Sequence, residues 1–170
     1  MRFHLSKWYL DCVTDDGTTA ILYWARLRWG ILRIHYGAVL THAPSHAPGD
    51  RHTLHPGDPP ITDPDGSVRW SCPRLRVSGT WRRAATPAEQ TLLDDDTGRI
   101  EWSGVCPRAD AVLDIDGRAI RGLGYVERLT STVPPGRLPF DELRWGRFLT
   151  PSEAVTWISW RGAKATARPW

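Results

Sequence analysis

Apolar and polar residues alternate along most of this chain with the two-residue period that is typical of β-strands. Gly, Pro and Asp, which favour turns, separate the alternating stretches. No segment shows the periodicity of an amphipathic helix over about a dozen residues. The predicted strands cover residues 3–13, 19–29, 31–41, 73–82, 99–106, 109–115, 119–130, 143–149 and 155–161, and residues 88–93 form either a strand or a helical turn. The pattern therefore predicts an all-β protein of roughly eight to ten strands.

The segments between the predicted strands are of two kinds. Asp16-Gly17 and Asp116-Gly117 each lie between two strands, and Asp-Gly is a strong signal for a tight β-hairpin. From about Ala43 to Gly66, in contrast, Pro, Gly, His and Asp dominate and apolar residues nearly vanish. We predict one long loop there, and loops of that length are usually functional lids or mobile segments.

Many short strands separated by turns are typical of an antiparallel sandwich or barrel. We favour a barrel with an internal hydrophobic cavity, because a barrel of roughly eight to ten strands is just wide enough to hold one small ligand. The ten tryptophans suit an aromatic-lined cavity or core. We expect the 170 residues to form one domain.

Charge and cysteine content argue against several classes of protein. The net charge is only +3 and no run of five or six like charges occurs, so no nucleic-acid partner is indicated. The three cysteines lack the CxxC spacing of a zinc ribbon, and their odd number argues against a disulfide scaffold. The first residues lack the apolar core of a signal peptide, and no apolar run approaches the roughly 18 residues of a membrane span. We expect a cytoplasmic protein with reduced thiols and no transmembrane segment, and a homo-oligomer is compatible with the sequence.

The predicted strand at residues 122–129 carries the most informative pair of polar side chains. Alternation places Leu123, Tyr125, Glu127 and Leu129 on one face, with Gly122, Gly124, Val126 and Arg128 opposite. A carboxyl and a phenol therefore share a face that is otherwise apolar. Such a carboxyl is either the ion-pair partner of an arginine or a catalytic group.

Two parts of the chain resemble the lipocalin-like superfamily of carotenoid 1,2-hydratases, tocopherol cyclases and certain polyketide cyclases. These parts share with that superfamily a Trp-Tyr strand, an Asp-Gly hairpin and a Gly-Tyr-x-acid strand. The matching residues are Lys7-Trp8-Tyr9-Leu10-Asp11, Asp15-Asp16-Gly17 and Tyr23-Trp24 in the first part, and Gly122-Leu123-Gly124-Tyr125-Val126-Glu127 and Leu143-Arg144-Trp145-Gly146-Arg147-Phe148 in the second.

The resemblance implies a lipocalin-like β-barrel with a hydrophobic cavity, an isoprenoid-like or polyketide-like ligand, no cofactor, and acid chemistry. The chain also departs from the pattern of the superfamily. The hydratases hold two barrel-like domains, whereas this chain has room for one. Glu127 stands where the motif leads us to expect Asp, and the sequence that follows it is Arg128-Leu129-Thr130.

Glu127 and Tyr125 are the candidate catalytic residues. Desolvation in a closed barrel favours the neutral carboxyl, which can act as a general acid. Tyr125 would either hold this acid or position the leaving or entering oxygen. The predicted substrate-binding residues surround this pair, and aromatic faces among them would stabilise a cation; they are Tyr23, Trp81, Trp102, Leu123, Leu129 and Trp145. The structural alternative is an ion pair between Glu127 and an arginine, and the candidates for it are Arg121, Arg128, Arg144 and Arg147.

Other polar clusters have simpler interpretations. The loop histidines, His42, His46, His52 and His55, match no metal-ligand spacing, so we predict no metal site and a solvated loop. The arginines of 73–83 would need neighbouring exposed aromatics to bind nucleic acid, and the aromatics fall on the opposite face. Cys12 and Cys106 are expected to be buried structural thiols.

The sequence thus predicts a cofactor-independent enzyme that uses proton transfer to hydrate, cyclise or isomerise a hydrophobic small molecule. A carrier that binds such a ligand without chemistry is the alternative. A third reading is a structural or partner-binding domain with a filled core.

Overall fold

The computed structural model describes residues 2–44, 46–162 and 167–169, which form almost entirely antiparallel β-structure. The first eight strands are β1 Phe3–Val13, β2 Thr19–Trp29, β3 Leu32–Ala43, β4 His46–Thr53, β5 Ile61–Thr62, β6 Val68–Cys72, β7 Val77–Arg83 and β8 Ala88–Asp95. The last five are β9 Gly98–Ile115, β10 Arg118–Ser131, β11 Glu142–Leu149, β12 Ala154–Arg161 and β13 Ala167–Pro169. Single 3₁₀ turns lie at Pro73–Leu75 and Pro135–Arg137. The prediction of an all-β, antiparallel fold is confirmed.

Ten of the strands form one sheet in the order β4-β3-β2-β1-β10-β9-β7-β6-β5, with β8 also paired to β9. Strand β9 is long enough to pair with two strands along the same edge: its residues 98–104 pair with β8 and its residues 109–115 pair with β7. Strands β11, β12 and β13 form a second sheet. Strand β10 thus lies at the centre of the larger sheet, between β1 and β9.

The larger sheet buries apolar side chains on both of its faces. One face, around which the sheet curls, carries the larger core, which includes Leu10, Leu22, Trp81 and Val126. Gly37 on β3 lies against the Leu75 side chain, and Arg51 on β4 pairs with Asp116 in the β9–β10 turn, so distant parts of the sheet meet. The opposite face carries a smaller cluster that β11 and β12 cover.

Most predicted strands are present, and the differences have local causes. The two predicted hairpins at Asp16-Gly17 and Asp116-Gly117 join β1 to β2 and β9 to β10. Residues 88–93 lie in a strand, and the predicted strands 99–106 and 109–115 are one continuous strand. The predicted strand 73–82 begins only at Val77, because Pro73–Leu75 is a 3₁₀ turn and Arg76 has a left-handed φ of 51°.

The prediction of one long loop over about 43–66 is wrong in part. Strand β4 pairs with β3 over much of it, and Ile61–Thr62 forms the short strand β5. Because β4 is an edge strand, its residues from Ala47 onward are mostly exposed. An edge strand in contact with solvent needs no alternation of apolar residues and tolerates Pro48 and Gly49. The composition of this segment is therefore the same as that of a loop, which explains the wrong prediction.

The thiols behave as predicted. Cys12, Cys72 and Cys106 are free, and Cys12 and Cys106 are buried. Burial raises the pKa of Cys12 to about 12 and that of Cys106 to about 11. Both are therefore unreactive structural thiols near neutral pH.

Within the described residues, we find no helix with the length and apolarity that crossing a membrane requires.

Gly122 allows β10 to pack closely against the end of β1. A Cβ atom at this position would lie 2.1 Å from the carbonyl oxygen of Val13 and 2.6 Å from its carbonyl carbon. Gly122→Ala is therefore expected to destabilise the protein by about 3 kcal/mol or more, since backbone cannot yield as a side chain does. Urea unfolding measures the loss. Gly136→Ala is the control, because nothing lies within 4 Å of its added Cβ, and equal stability of the two variants would contradict this account.

Candidate active site

Strand register places four polar or aromatic residues on one face of the larger sheet. Tyr9 on β1 is opposite Glu127 on β10, and Asp11 is opposite Tyr125. Directly opposed residues share a face, so all four side chains project toward β11 and β12. Tyr125 is 0% exposed and Glu127 is 5% exposed. The predicted sharing of one face by Tyr125 and Glu127 fits this register.

A bulge beside Tyr125 leaves the alternation of β10 intact. The β9–β10 register shifts on both sides of Val126. The extra residues lie on β9, because Gly124, Val126 and Glu127 pair with Ala109, Cys106 and Gly104. Val126 therefore still faces the larger core while Tyr125 faces the smaller cluster.

The carboxyl of Glu127 is held by two neutral donors. Its Oε2 accepts a hydrogen bond of 2.6 Å from Trp102 Nε1 and one of 2.9 Å from the Tyr125 hydroxyl. In the described part of the chain, Glu127 forms no ion pair with an arginine. Two of the arginines considered as partners pair with other carboxyls: Arg147 pairs with Asp11 and Arg144 with Glu142.

Asp11 is a second buried carboxyl at this site. Its Oδ2 accepts hydrogen bonds from Arg147 Nη2 at 2.6 Å and Nε at 2.8 Å, and its Oδ1 accepts one from the backbone N–H of Tyr125 at 3.1 Å. The side chain of Asp11 is 0% exposed and that of Arg147 is 15% exposed. Tyr125 therefore contacts both carboxyls, with its hydroxyl at Glu127 and its N–H at Asp11.

Sequence reasoning gave no role to Asp11 and considered Arg147 only as a partner of Glu127. Both lie in segments that carry the resemblance, since Asp11 ends the Lys7–Asp11 motif and Arg147 follows Gly146. Their pairing joins positions 136 residues apart, which no local pattern indicates. The available signal was Asp11 itself, an acid between the apolar residues Leu10 and Cys12.

Burial sets the protonation of the groups around Tyr125. It raises the pKa of Asp11 to about 6, against the opposing charge of Arg147 and hydrogen bonds from Tyr9, Arg147 and the Tyr125 backbone. Burial and the neighbouring carboxyls also raise the pKa of the Tyr9 and Tyr125 hydroxyls well above their usual range. Both tyrosines are therefore neutral hydrogen-bonding groups.

The raised pKa of Asp11 makes stability depend on pH. The folded protein keeps this proton up to about pH 6, whereas the unfolded chain releases it near 3.8. Its contribution to stability is therefore complete below about pH 4 and is lost as the pH rises through about 6, by about 3 kcal/mol at roughly 1.4 kcal/mol per pKa unit. We expect the unfolding free energy of wild type minus that of Asp11→Asn to fall by this amount between about pH 4 and pH 7. Denaturant titration at several pH values measures this difference. Asp15→Asn, at an exposed position, should show a flat difference, and a flat Asp11→Asn difference would contradict the raised pKa.

Aromatic rings line the site beside Glu127. The Tyr9 ring lies 5.0 Å from Trp145, 5.3 Å from Tyr23 and 6.1 Å from Tyr125, between ring centroids. Trp145 Nε1 is buried and lies near the Tyr125 hydroxyl, whose pKa it lowers slightly against the larger effect of burial. Tyr23 and Trp145 are only partly buried, so they form the rim of the cluster. The site thus combines two carboxyls, those of Glu127 and Asp11, with several aromatic rings.

The structure brings together only some of the predicted substrate-binding residues. Tyr23, Trp102 and Trp145 belong to the cluster around Tyr125. Leu123 and Leu129 are partly buried, opposite Val13 and Lys7 of β1. Trp81 lies in the larger core on the other face, where its Nε1 donates to the Asp11 carbonyl oxygen at 2.7 Å. The prediction treated every apolar face as one interior, whereas the sheet has two.

No group of three or more His, Cys, Asp or Glu side chains in the described residues is arranged to hold a metal ion.

Two solved structures share the fold of this chain. One is a Nitrosomonas europaea protein assigned as AttH, with 10% identity and a TM-score of 0.57, over 98% of this chain and 63% of that one. The other is kievitone hydratase from Nectria haematococca, with 11% identity and a TM-score of 0.62, over 96% of this chain and 59% of that one. No family model and no curated protein matches the sequence. The identities are too low to show more than the fold, which is lipocalin-like as predicted, and this chain spans about three-fifths of each neighbour.

Proposed function

We propose that this protein is a cofactor-independent enzyme that transfers a proton between Glu127 and a hydrophobic small molecule. The observation that carries the proposal is the setting of Glu127. This carboxyl is buried, has neutral donors from Trp102 and Tyr125 instead of an arginine, and faces aromatic rings. A carboxyl that serves only structure usually has a cationic partner when it is buried.

The chemistry would begin with protonated Glu127. Its proton passes to one carbon of an alkene, which leaves a cation on the neighbouring carbon, and the ring faces of Tyr9, Tyr23 and Trp145 stabilise that cation. In a hydration, a water oxygen bonds to the cation and a proton returns to the Glu127 carboxylate, so the net change is the addition of one water. In an isomerisation or cyclisation, the cation instead loses a proton from an adjacent carbon or is captured by another group of the substrate.

Tyr125 and the Asp11–Arg147 pair position the acid. The hydroxyl of Tyr125 stays neutral because its pKa is raised, so it holds Glu127 by hydrogen bonding and does not compete as a proton donor. The N–H of Tyr125 is bound by Asp11, which Arg147 ties to β11.

The substrate would enter between the larger sheet and β11–β12. Ile21, Tyr23, Trp145 and Leu149 are partly buried apolar residues at the rim of the cluster there. An apolar rim favours an isoprenoid-like or polyketide-like molecule, the class that the resemblance to hydratases and cyclases implies. Membership of that superfamily, a single domain over residues 1–170 and a cytoplasmic location are part of the same proposal.

A carrier that binds the same kind of ligand is the second candidate. The aromatic and apolar lining of the site supports it, because such a lining can bind an apolar ligand without any chemical step. In a carrier, Glu127 would accept a hydrogen bond from a ligand hydroxyl without giving up a proton.

Mass spectrometry distinguishes the two candidates. Native spectra of the purified protein would reveal a co-purified apolar ligand. That ligand, or a panel of isoprenoid alkenes and polyketides, is then incubated with the enzyme in H₂¹⁸O and separately in D₂O. We expect deuterium in the product in every case and ¹⁸O in a hydration. A ligand that binds and is recovered without either isotope would establish the carrier and overturn the enzyme.

A further inference from the structure

A separate cavity of about 310 Å³ lies at the end of the larger core, away from Glu127. Side chains of β2, β3 and β6 line it, together with the segment at 55–58 and the start of the 3₁₀ turn at Pro73. Trp24 and Trp70, which supply its aromatic surface, also belong to the core on the face opposite the candidate active site. The sheet therefore separates this cavity from Tyr125 and Glu127.

Two indole groups form hydrogen bonds to the segment 55–58, which is one wall of this cavity. Trp24 Nε1 donates to the Gly57 carbonyl oxygen at 2.9 Å, and Trp70 Nε1 donates to the Asp58 carbonyl oxygen at 3.1 Å. Both tryptophans are buried, so their rings are held in place. An irregular segment that is anchored in this way forms a fixed wall against which a flat ligand can pack.

One buried polar atom of a residue that lines the cavity has no partner among the described residues. Nδ1 of His35 is buried and makes no hydrogen bond to any described residue. A buried polar atom without a partner costs about 1–3 kcal/mol, so a group that pairs with it gains that energy back. His35 lines the cavity, and rotation of its imidazole ring would bring Nδ1 to a hydrogen-bonding group of a ligand there.

We propose that this cavity binds a compact aromatic molecule that carries one hydroxyl group. The indole faces suit an aromatic ring, and a hydroxyl suits either tautomer of His35 because it can donate or accept. The volume lies at the lower end of the range for small-molecule sites, which limits the ligand to about one or two rings. Arg74 and Asp58 also line the cavity. Because these two residues carry opposite charges, the lining has no excess of either charge, which suits a neutral ligand. This site is independent of the proposed chemistry at Glu127.

Cys72 provides a local reporter for the site. It lines the cavity and is partly exposed, whereas Cys12 and Cys106 are buried with raised pKa values. A thiol reagent should therefore label Cys72 first. Bound 2-naphthol is expected to slow that labelling, and naphthalene at equal concentration should slow it less, since it lacks the hydroxyl.

The affinities of 2-naphthol and naphthalene for wild type, His35→Leu and His42→Leu test the proposal, measured by calorimetry. We expect 2-naphthol to bind wild type about tenfold more tightly than naphthalene, as one hydrogen bond allows. This preference should vanish in His35→Leu and remain in His42→Leu, an exposed position on the same strand. No preference in wild type, no protection of Cys72, or a preference that persists in His35→Leu would each overturn the site. Cys72 protection in wild type is decisive even if His35→Leu fails to fold.

Discussion

Glu127→Gln is expected to lower turnover by about 10²–10⁴-fold while the fold and ligand affinity are retained. Glutamine has the shape of glutamate, and its amide oxygen can still accept the hydrogen bonds that Trp102 and Tyr125 donate. The variant therefore loses the ability to exchange a proton and little else. Steady-state turnover on whichever substrate incorporates solvent isotope measures the effect, with unfolding free energy measured in parallel.

Glu89→Gln is the matched control for this prediction. Glu89 is exposed on β8, so the same substitution there should leave turnover unchanged. Full activity in Glu127→Gln would show that Glu127 is not the proton-transfer group. A loss of turnover accompanied by an equal loss of ligand affinity would instead favour a binding role for this carboxyl.

Arg147→Met is expected to have the largest effect on stability. It removes the cationic partner of Asp11, whose carboxyl is completely buried. Removing one member of a buried ion pair costs about 3–5 kcal/mol, because the other charge stays in a medium of low polarity. The loss should be largest above about pH 7, where Asp11 is ionised, and smaller near pH 4, where Asp11 is protonated. Urea unfolding at several pH values measures it.

Two further variants test this explanation. Arg144→Met removes an exposed partner of Glu142 on the same strand, and a surface pair of this kind contributes only about 0–1 kcal/mol. Adding Asp11→Asn to Arg147→Met should recover much of the stability, since no uncompensated carboxylate is left. A loss that is independent of pH, or one that Asp11→Asn does not relieve, would contradict the account.

Local patterns were sufficient to predict the strands and the sharing of one face by Tyr125 and Glu127. Alternation depends only on the geometry of a single strand. The extra residues of the bulge beside Val126 lie on β9, so they do not disturb the alternation along β10. The hairpins followed from Asp-Gly, whose glycine adopts the required positive φ of 83° at Gly17 and 78° at Gly117. These features needed no knowledge of distant parts of the chain.

Features that depend on register between distant strands could not be predicted. Trp81 seemed equivalent to Trp102, yet the two rings lie on opposite faces of the sheet. The Asp11–Arg147 pair depends on how the second sheet packs on the first. Strand β4 was missed because its pairing with β3 uses only backbone groups, which leave no apolar pattern in an edge strand.

The stereochemistry of solvent deuterium in the product tests the central claim most directly. In the proposed reaction Glu127 would protonate the substrate from the β10 side only, so single turnover in D₂O should place deuterium on one face of one carbon. Glu127→Gln should give no labelled product in the same experiment. Deuterium divided equally between the two faces, or labelled product formed at the wild-type rate by Glu127→Gln, would contradict proton transfer from Glu127.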